Sequence, residues 1–131
     1  MSGCDKATGN DVDRAFQDVN VVDESNLNDV MLTAADPNEA VSYFQRATSE
    51  KPDRIDLQRG LAKSLIRAKR NTEAVSVWTK VVDHKDVTNE DRVNKADALI
   101  RNNEWERADQ TLDLIPPTYE TFKRYRLEAM I

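Results

Sequence analysis

The sequence predicts an all-α fold built by stacking antiparallel helix pairs, and three observations carry that prediction. First, chemically similar residues recur every 34 positions. Ala40, Ala74 and Ala108 are so spaced, as are Phe44, Trp78 and Leu112, and Met31, Leu65 and Leu99. Asn28, Ala62 and Ala96 keep the same register, as do Leu27, Leu61 and Lys95. Several columns in phase mark a structural repeat rather than coincidence. Second, apolar residues within each segment have helical spacing: Leu57, Leu61, Leu65 and Ala68 share one face, and so do Val75, Trp78, Val81 and Val82. Third, the chain has 3 Gly and 4 Pro in 131 residues, too few for the many turns of a β-sandwich or barrel.

Seven helices follow in order, near 24–34, 37–50, 54–68, 71–84, 89–102, 105–114 and 119–131. The first holds Leu27, Asn28 and Met31 in the repeat register. Asp36-Pro37-Asn38-Glu39 opens the second: an N-cap, a proline at the first helical position, and a Glu placed to close a capping box. Lys51-Pro52-Asp53 stops it, because proline cannot continue a helix and restrains the residue before it. The third and fourth carry the two apolar faces named above. His84, the single histidine, closes the fourth, where a cation suits the helix dipole. Thr88-Asn89-Glu90-Asp91 starts the fifth with another capping pattern. The sixth holds Trp105, Ala108 and Leu112, with both tryptophans, Trp78 and Trp105, at packing positions. Pro116-Pro117-Thr118 ends it. The last is amphipathic, with Tyr119, Phe122, Tyr125, Leu127 and Met130.

Over about residues 21–120 this pattern resembles the tetratricopeptide repeat (TPR) family. That motif asks for small residues at its eighth and twentieth positions, an aromatic at the twenty-fourth and a proline at the thirty-second. Here those are Asn28, Ala40, Phe44 and Pro52, then Ala62, Ala74, Trp78 and Asp86, then Ala96, Ala108, Leu112 and Glu120. The fourth-position tryptophan of the motif is replaced by Glu24, Gln58 and Arg92, and Lys95 stands where an apolar residue is usual. The resemblance implies a tetratricopeptide-repeat solenoid, a right-handed superhelix with three repeats and an extra C-terminal helix over 24–131. Small residues let paired helices approach, and the bulky residue fills the gap to the next pair.

Residues 1–23 read as a flexible tail or tether, with a short helix at Asp11–Val19 placing Val12, Phe16 and Val19 on one side. Ser2-Gly3-Cys4 looks like the end of a bacterial lipobox, which makes Cys4 the candidate lipidation site and Met1 a start replacing a removed signal. The alternative is an ordinary tail with an incidental Cys. With lipidation, the membrane enters only through the anchor at Cys4, and the repeats face the periplasm from the bacterial cell envelope. Without it the protein is a cytoplasmic adaptor. At the other end, the amphipathic stretch stops at Ile131 without a polar cap, so the natural chain is expected to continue into further repeats.

Composition narrows function. The formal charge is −5, from 19 basic and 24 acidic residues, which disfavours nucleic-acid binding. One Cys rules out an intrachain disulfide and a Cys-rich zinc site. No nucleophile has a base in a recognisable motif, and no glycine-rich phosphate loop occurs. Asp109 and Asp113, four apart on one helix, read as surface carboxylates. No catalytic residue, metal or cofactor is therefore expected, and the chain is not read as an enzyme.

The family resemblance implies a protein or peptide partner held in a groove lined by the first helix of each pair. It places Ser25, Asp29, Leu32 and Thr33 there from the first repeat. Asp56, Arg59, Lys63, Ile66 and Arg67 follow from the second, then Glu90, Val93, Asp97, Ile100 and Arg101 from the third. The partner-binding set is Leu32, Arg59, Lys63, Ile66, Arg67, Val93, Asp97, Ile100 and Arg101. Within it Leu32, Ile66 and Ile100 form an apolar line, and Arg59, Lys63 and Arg67 a basic stripe beside Arg101, suited to an acidic or extended segment. Capture of a chaperone C-terminal tail is not expected, because Ser25 and Asp29 replace the basic residue and Asn that such a clamp uses.

The runs Asp23–Met31 and Ile115–Lys123 are similar to TadD-like lipoproteins of tight-adherence (Flp) pilus assembly. That resemblance implies a scaffold for a secretin or pilus component. A self-associating structural module, joined end to end near Phe122, Leu127 and Met130, is the alternative of a different class.

Overall fold

A computed structural model describes residues 24–131; the tail, the Asp11–Val19 segment and Cys4 lie outside the described residues. Seven helices and no strands occur among the described residues. Helix α1 runs over 24–33. It is followed by α2 (Pro37–Glu50), α3 (Ile55–Arg67), α4 (Asn71–Val82), α5 (Asn89–Arg101), α6 (Trp105–Asp113) and α7 (Phe122–Met130). From α2 to α6 each helix packs on the next, and α7 packs on α5 and α6. The fold is an all-α helical repeat.

The register columns are the core. Ala40, Ala62, Ala74, Ala96 and Ala108 are completely buried, and Phe44, Trp78 and Leu112 nearly so. Small side chains bring the helices together, and the larger ones close the gap between pairs. One exchange departs from this rule. At the first repeat's small position, Asn28 accepts a 2.6 Å hydrogen bond from the Tyr43 hydroxyl, so a polar contact stands where alanine stands later. Gly60 is needed for a different reason. A Cβ there would lie 2.4 Å from the Phe44 ring, which seats directly on the α3 backbone.

The turns repeat as well. Lys69 and Asn103, one repeat apart, both take left-handed backbone, at φ 59° and 61°. The Arg70 N–H reaches the Leu65 carbonyl and the Glu104 N–H the Leu99 carbonyl, at 2.9 and 2.8 Å, closing each helix with a Schellman turn. The first repeat turns differently. Asp36 is extended before Pro37, and its carboxylate accepts the Asn38 and Glu39 N–H groups at 3.1 and 3.3 Å. Asp36 caps α2 alone, without the reciprocal Glu39 bond expected for a capping box. At α5 the box is complete, between Thr88 and Asp91.

Three expectations change. Trp105 is 41% exposed, because as first residue of α6 it stands at the edge of the α5–α6 contact, one turn before the buried Ala108. Leu127 is buried, so the apolar surface of α7 consists of Phe122, Tyr125 and Met130 without it. His84 lies beyond the end of α4 in the following turn. Its Nδ1 accepts the Asp86 N–H at 3.0 Å, and its Nε2 sits 2.8 Å from the Asp53 carbonyl. Through these two contacts the imidazole ties two loops.

Candidate partner-binding groove

The odd-numbered helices α1, α3, α5 and α7 line a groove of about 510 Å3. Leu32 and Thr33 come from α1; Lys63, Ile66 and Arg67 from α3; Glu90, Asn94 and Asp97 from α5; and Lys123 from α7. Trp78 of α4 closes the bottom. The repeat explains the convergence. Equivalent positions on successive first helices return to the same side of the stack, so residues far apart in sequence share one surface.

Of the nine expected residues, Leu32, Lys63, Ile66, Arg67 and Asp97 line the groove. Arg59, Val93, Ile100 and Arg101 do not. Arg59 is occupied elsewhere: Nε and Nη2 donate to the two carboxylate oxygens of Asp91 at 2.8 and 2.7 Å, a bidentate pair between α3 and α5. The Asp91 side chain is only 3% exposed. Burial opposes its ionisation, but hydrogen bonds from the Arg59 guanidinium and from Thr88 outweigh burial and hold the carboxyl below its ordinary range. The same pairing raises the Arg59 guanidinium, against the cost of burial.

Val93 and Ile100 are 2% and 4% exposed and belong to the buried cluster that also holds Leu127 of α7. The apolar line of the groove is therefore Leu32 and Ile66, without Ile100. The basic stripe shortens too. Arg67 lines the groove, but its guanidinium donates to the carbonyls of Met31, Leu32 and Ala35 at 3.2, 2.8 and 2.9 Å. It caps the C-terminal end of α1 and anchors that helix to α3. Arg101 stands 3.2 Å from Asp97 on its own helix.

Three groove residues escaped the sequence reading: Trp78, expected only as a packing residue, Asn94 and Lys123. Asn94 and Lys123 meet across α5 and α7, where the Lys123 ammonium donates to Asn94 Oδ1 and stands 3.5 Å from Asp97. No sequence spacing relates them, because α7 follows the Pro116-Pro117 break. The structural role of Asp91 did have a signal. The third residue after a Thr N-cap is where a capping box places an acid, and that acid is the partner of Arg59.

The groove has the makings of a binding surface: half-buried aliphatic side chains, an amine, carboxylates and a side-chain amide. Among the described residues no group of three or more His, Cys, Asp or Glu side chains is placed to hold a metal ion. No described helix is long and apolar enough to cross a membrane.

Comparison with known proteins agrees with this geometry at the level of the repeat. The tetratricopeptide repeat family model matches residues 31–85, from the last turn of α1 through α4, and supports that family. No curated protein and no solved structure matches the chain. Tetratricopeptide repeats generally mediate protein–protein interaction, and the family is typically a non-catalytic scaffold.

Proposed function

We propose that this chain is a non-catalytic scaffold that holds a peptide or a partner protein in the groove between α1, α3, α5 and α7. One observation carries the reading: Leu32 and Ile66 form an apolar strip in a groove of about 510 Å3 whose rim is charged. Apolar contacts would supply affinity, and the rim charges register and association rate. The finer reading is a lipoprotein of the bacterial cell envelope, anchored through Cys4 and assisting assembly of a pilus or secretion machine. Ser2-Gly3-Cys4 and the TadD-like runs of the sequence support it.

The test is capture from envelope extract of the source organism by wild type, by Ile66→Asp and by Lys63→Glu. Both variants change groove residues without touching the Arg59–Asp91 pair or the Arg67 cap, which hold neighbouring helices together. A secretin or pilus component held by wild type and lost by both variants supports the scaffold and its site. Equal capture by all three moves the site off the groove. Labelling with a palmitate analogue separates the lipoprotein from a cytoplasmic adaptor.

End-to-end self-association is the second reading, supported by the exposure of Phe122 (84%), with Tyr125 and Met130 beside it. A sedimentation coefficient that does not change with concentration rejects it.

A further inference from the structure

We infer that the groove selects a segment in which an acidic and a basic side chain flank an apolar one, rather than a uniformly acidic segment. This rests on the groove being the partner site. Most charges of the groove are already engaged. Arg67 is spent on the carbonyls at the end of α1. Lys123 is held by Asn94 and Asp97, and Asp97 also faces Arg101. Two charges remain, both exposed and without a hydrogen-bond or ion-pair partner among the described residues: Lys63 on α3 and Glu90 on α5.

These two stand on different walls of the same groove, with Leu32 and Ile66 as its apolar strip. A ligand that is acidic throughout would satisfy Lys63 but set a carboxylate against Glu90. A basic one would do the reverse. Like-charge juxtaposition is how an interface rejects wrong partners, so the pair Lys63 and Glu90 acts as a specificity filter around the apolar contact. A segment of mixed charge answers both walls, and the charges also fix the direction in which it lies.

The test uses the full chain and three synthetic peptides of one length, with cores Asp-Leu-Lys, Asp-Leu-Asp and Lys-Leu-Lys. Binding is followed by two-dimensional NMR titration, which reads weak affinities and locates the contact. The mixed peptide is expected to bind wild type about fivefold tighter than either uniform one, the scale of a gained or reversed exposed ion pair. Glu90→Lys should transfer the preference to Asp-Leu-Asp, Lys63→Glu should transfer it to Lys-Leu-Lys, and the double variant should restore the mixed peptide. A wild type that prefers Asp-Leu-Asp, a preference unmoved by the swaps, or no binding by any peptide overturns the inference. Ile66→Asp separates the two levels. If it abolishes binding that is insensitive to charge pattern, only the filter fails; if peptides bind it as they bind wild type, the groove itself fails.

Discussion

Helices α3 and α5 occupy the same place in successive repeats yet do different work. Their equivalent residues are Arg59 and Val93, Lys63 and Asp97, Ile66 and Ile100, Arg67 and Arg101. On α3 this set forms an inter-helix clamp, a free amine, a half-buried groove residue and a cap on the preceding helix. On α5 it forms two core residues and an ion pair along one helix. The difference follows from what lies beyond each. Helix α3 faces open groove toward α1, whereas α5 receives α7, whose Leu127 joins the same buried cluster as Val93 and Ile100. A repeat position thus fixes direction, and the next helix decides whether that direction is surface or core.

The largest expected break in this asymmetry is at the clamp. Asp91→Asn leaves the Arg59 guanidinium short of its counter-charge and should cost about 3 kcal/mol in unfolding free energy, read by urea denaturation. A loss below about 1 kcal/mol would make the pair no stronger than an ordinary surface ion pair. Its pH dependence has a definite sign. The folded carboxyl titrates below its unfolded value, so its contribution is complete above the ordinary carboxylate range, about pH 4, and is lost as pH falls through the lower folded value. The acid limb of the stability profile should be shallower in Asp91→Asn than in wild type.

Gly60 and its equivalent Asn94 give the next contrast. Gly60→Ala drives a methyl into the Phe44 ring and should destabilise by about 1–2 kcal/mol, although alanine is the better helix former. Asn94→Ala should change the melting temperature little, because its amide meets the Lys123 side chain at the groove and fills no core space. Equal effects would show that the two helix faces are packed alike.

A smaller difference separates the paired arginines. Arg67→Met frees three carbonyls at the end of α1 and should cost about 1 kcal/mol, while Arg101→Met gives up one ion pair along a helix worth about 0.3 kcal/mol. Hydrogen exchange should show the first loss concentrated in α1. An effect of opposite sign is expected in the turns. Lys69→Gly should stabilise by about 0.5 kcal/mol, relief of left-handed backbone being partly offset by a more flexible unfolded chain. Asn103→Gly should gain less, since asparagine tolerates that backbone better.

The columns Ala40, Ala74, Ala108 and Phe44, Trp78, Leu112 made the fold legible in the sequence, because packing between pairs is set by local spacing repeated without change. Helix starts at Pro37 and Asn89 were equally plain from their capping residues. The groove was half legible. Direction could be read from the repeat, so Leu32, Lys63 and Ile66 emerged, but occupancy could not. Arg59 meets a carboxylate 32 residues away, and Arg67 meets carbonyls 32–36 residues away. Which cation on a helix face finds such a partner depends on turn geometry and on neighbours that no periodicity encodes. Trp105 shows the same limit, since a residue in register still lies outside the core when its helix begins there.

The double role of Asp91 reaches beyond the static clamp. In a stack where each unit touches only its neighbours, units can in principle melt one at a time from an end. Asp91 closes the first turn of α5 while holding Arg59 on α3, so one carboxylate links the start of the fifth helix to the third. The second and third pairs should therefore unfold as one cooperative block, with exchange rates in α3 and α5 rising together. Severing the clamp should split that block into independently fraying pieces, and the calorimetric transition should broaden while its total enthalpy changes little.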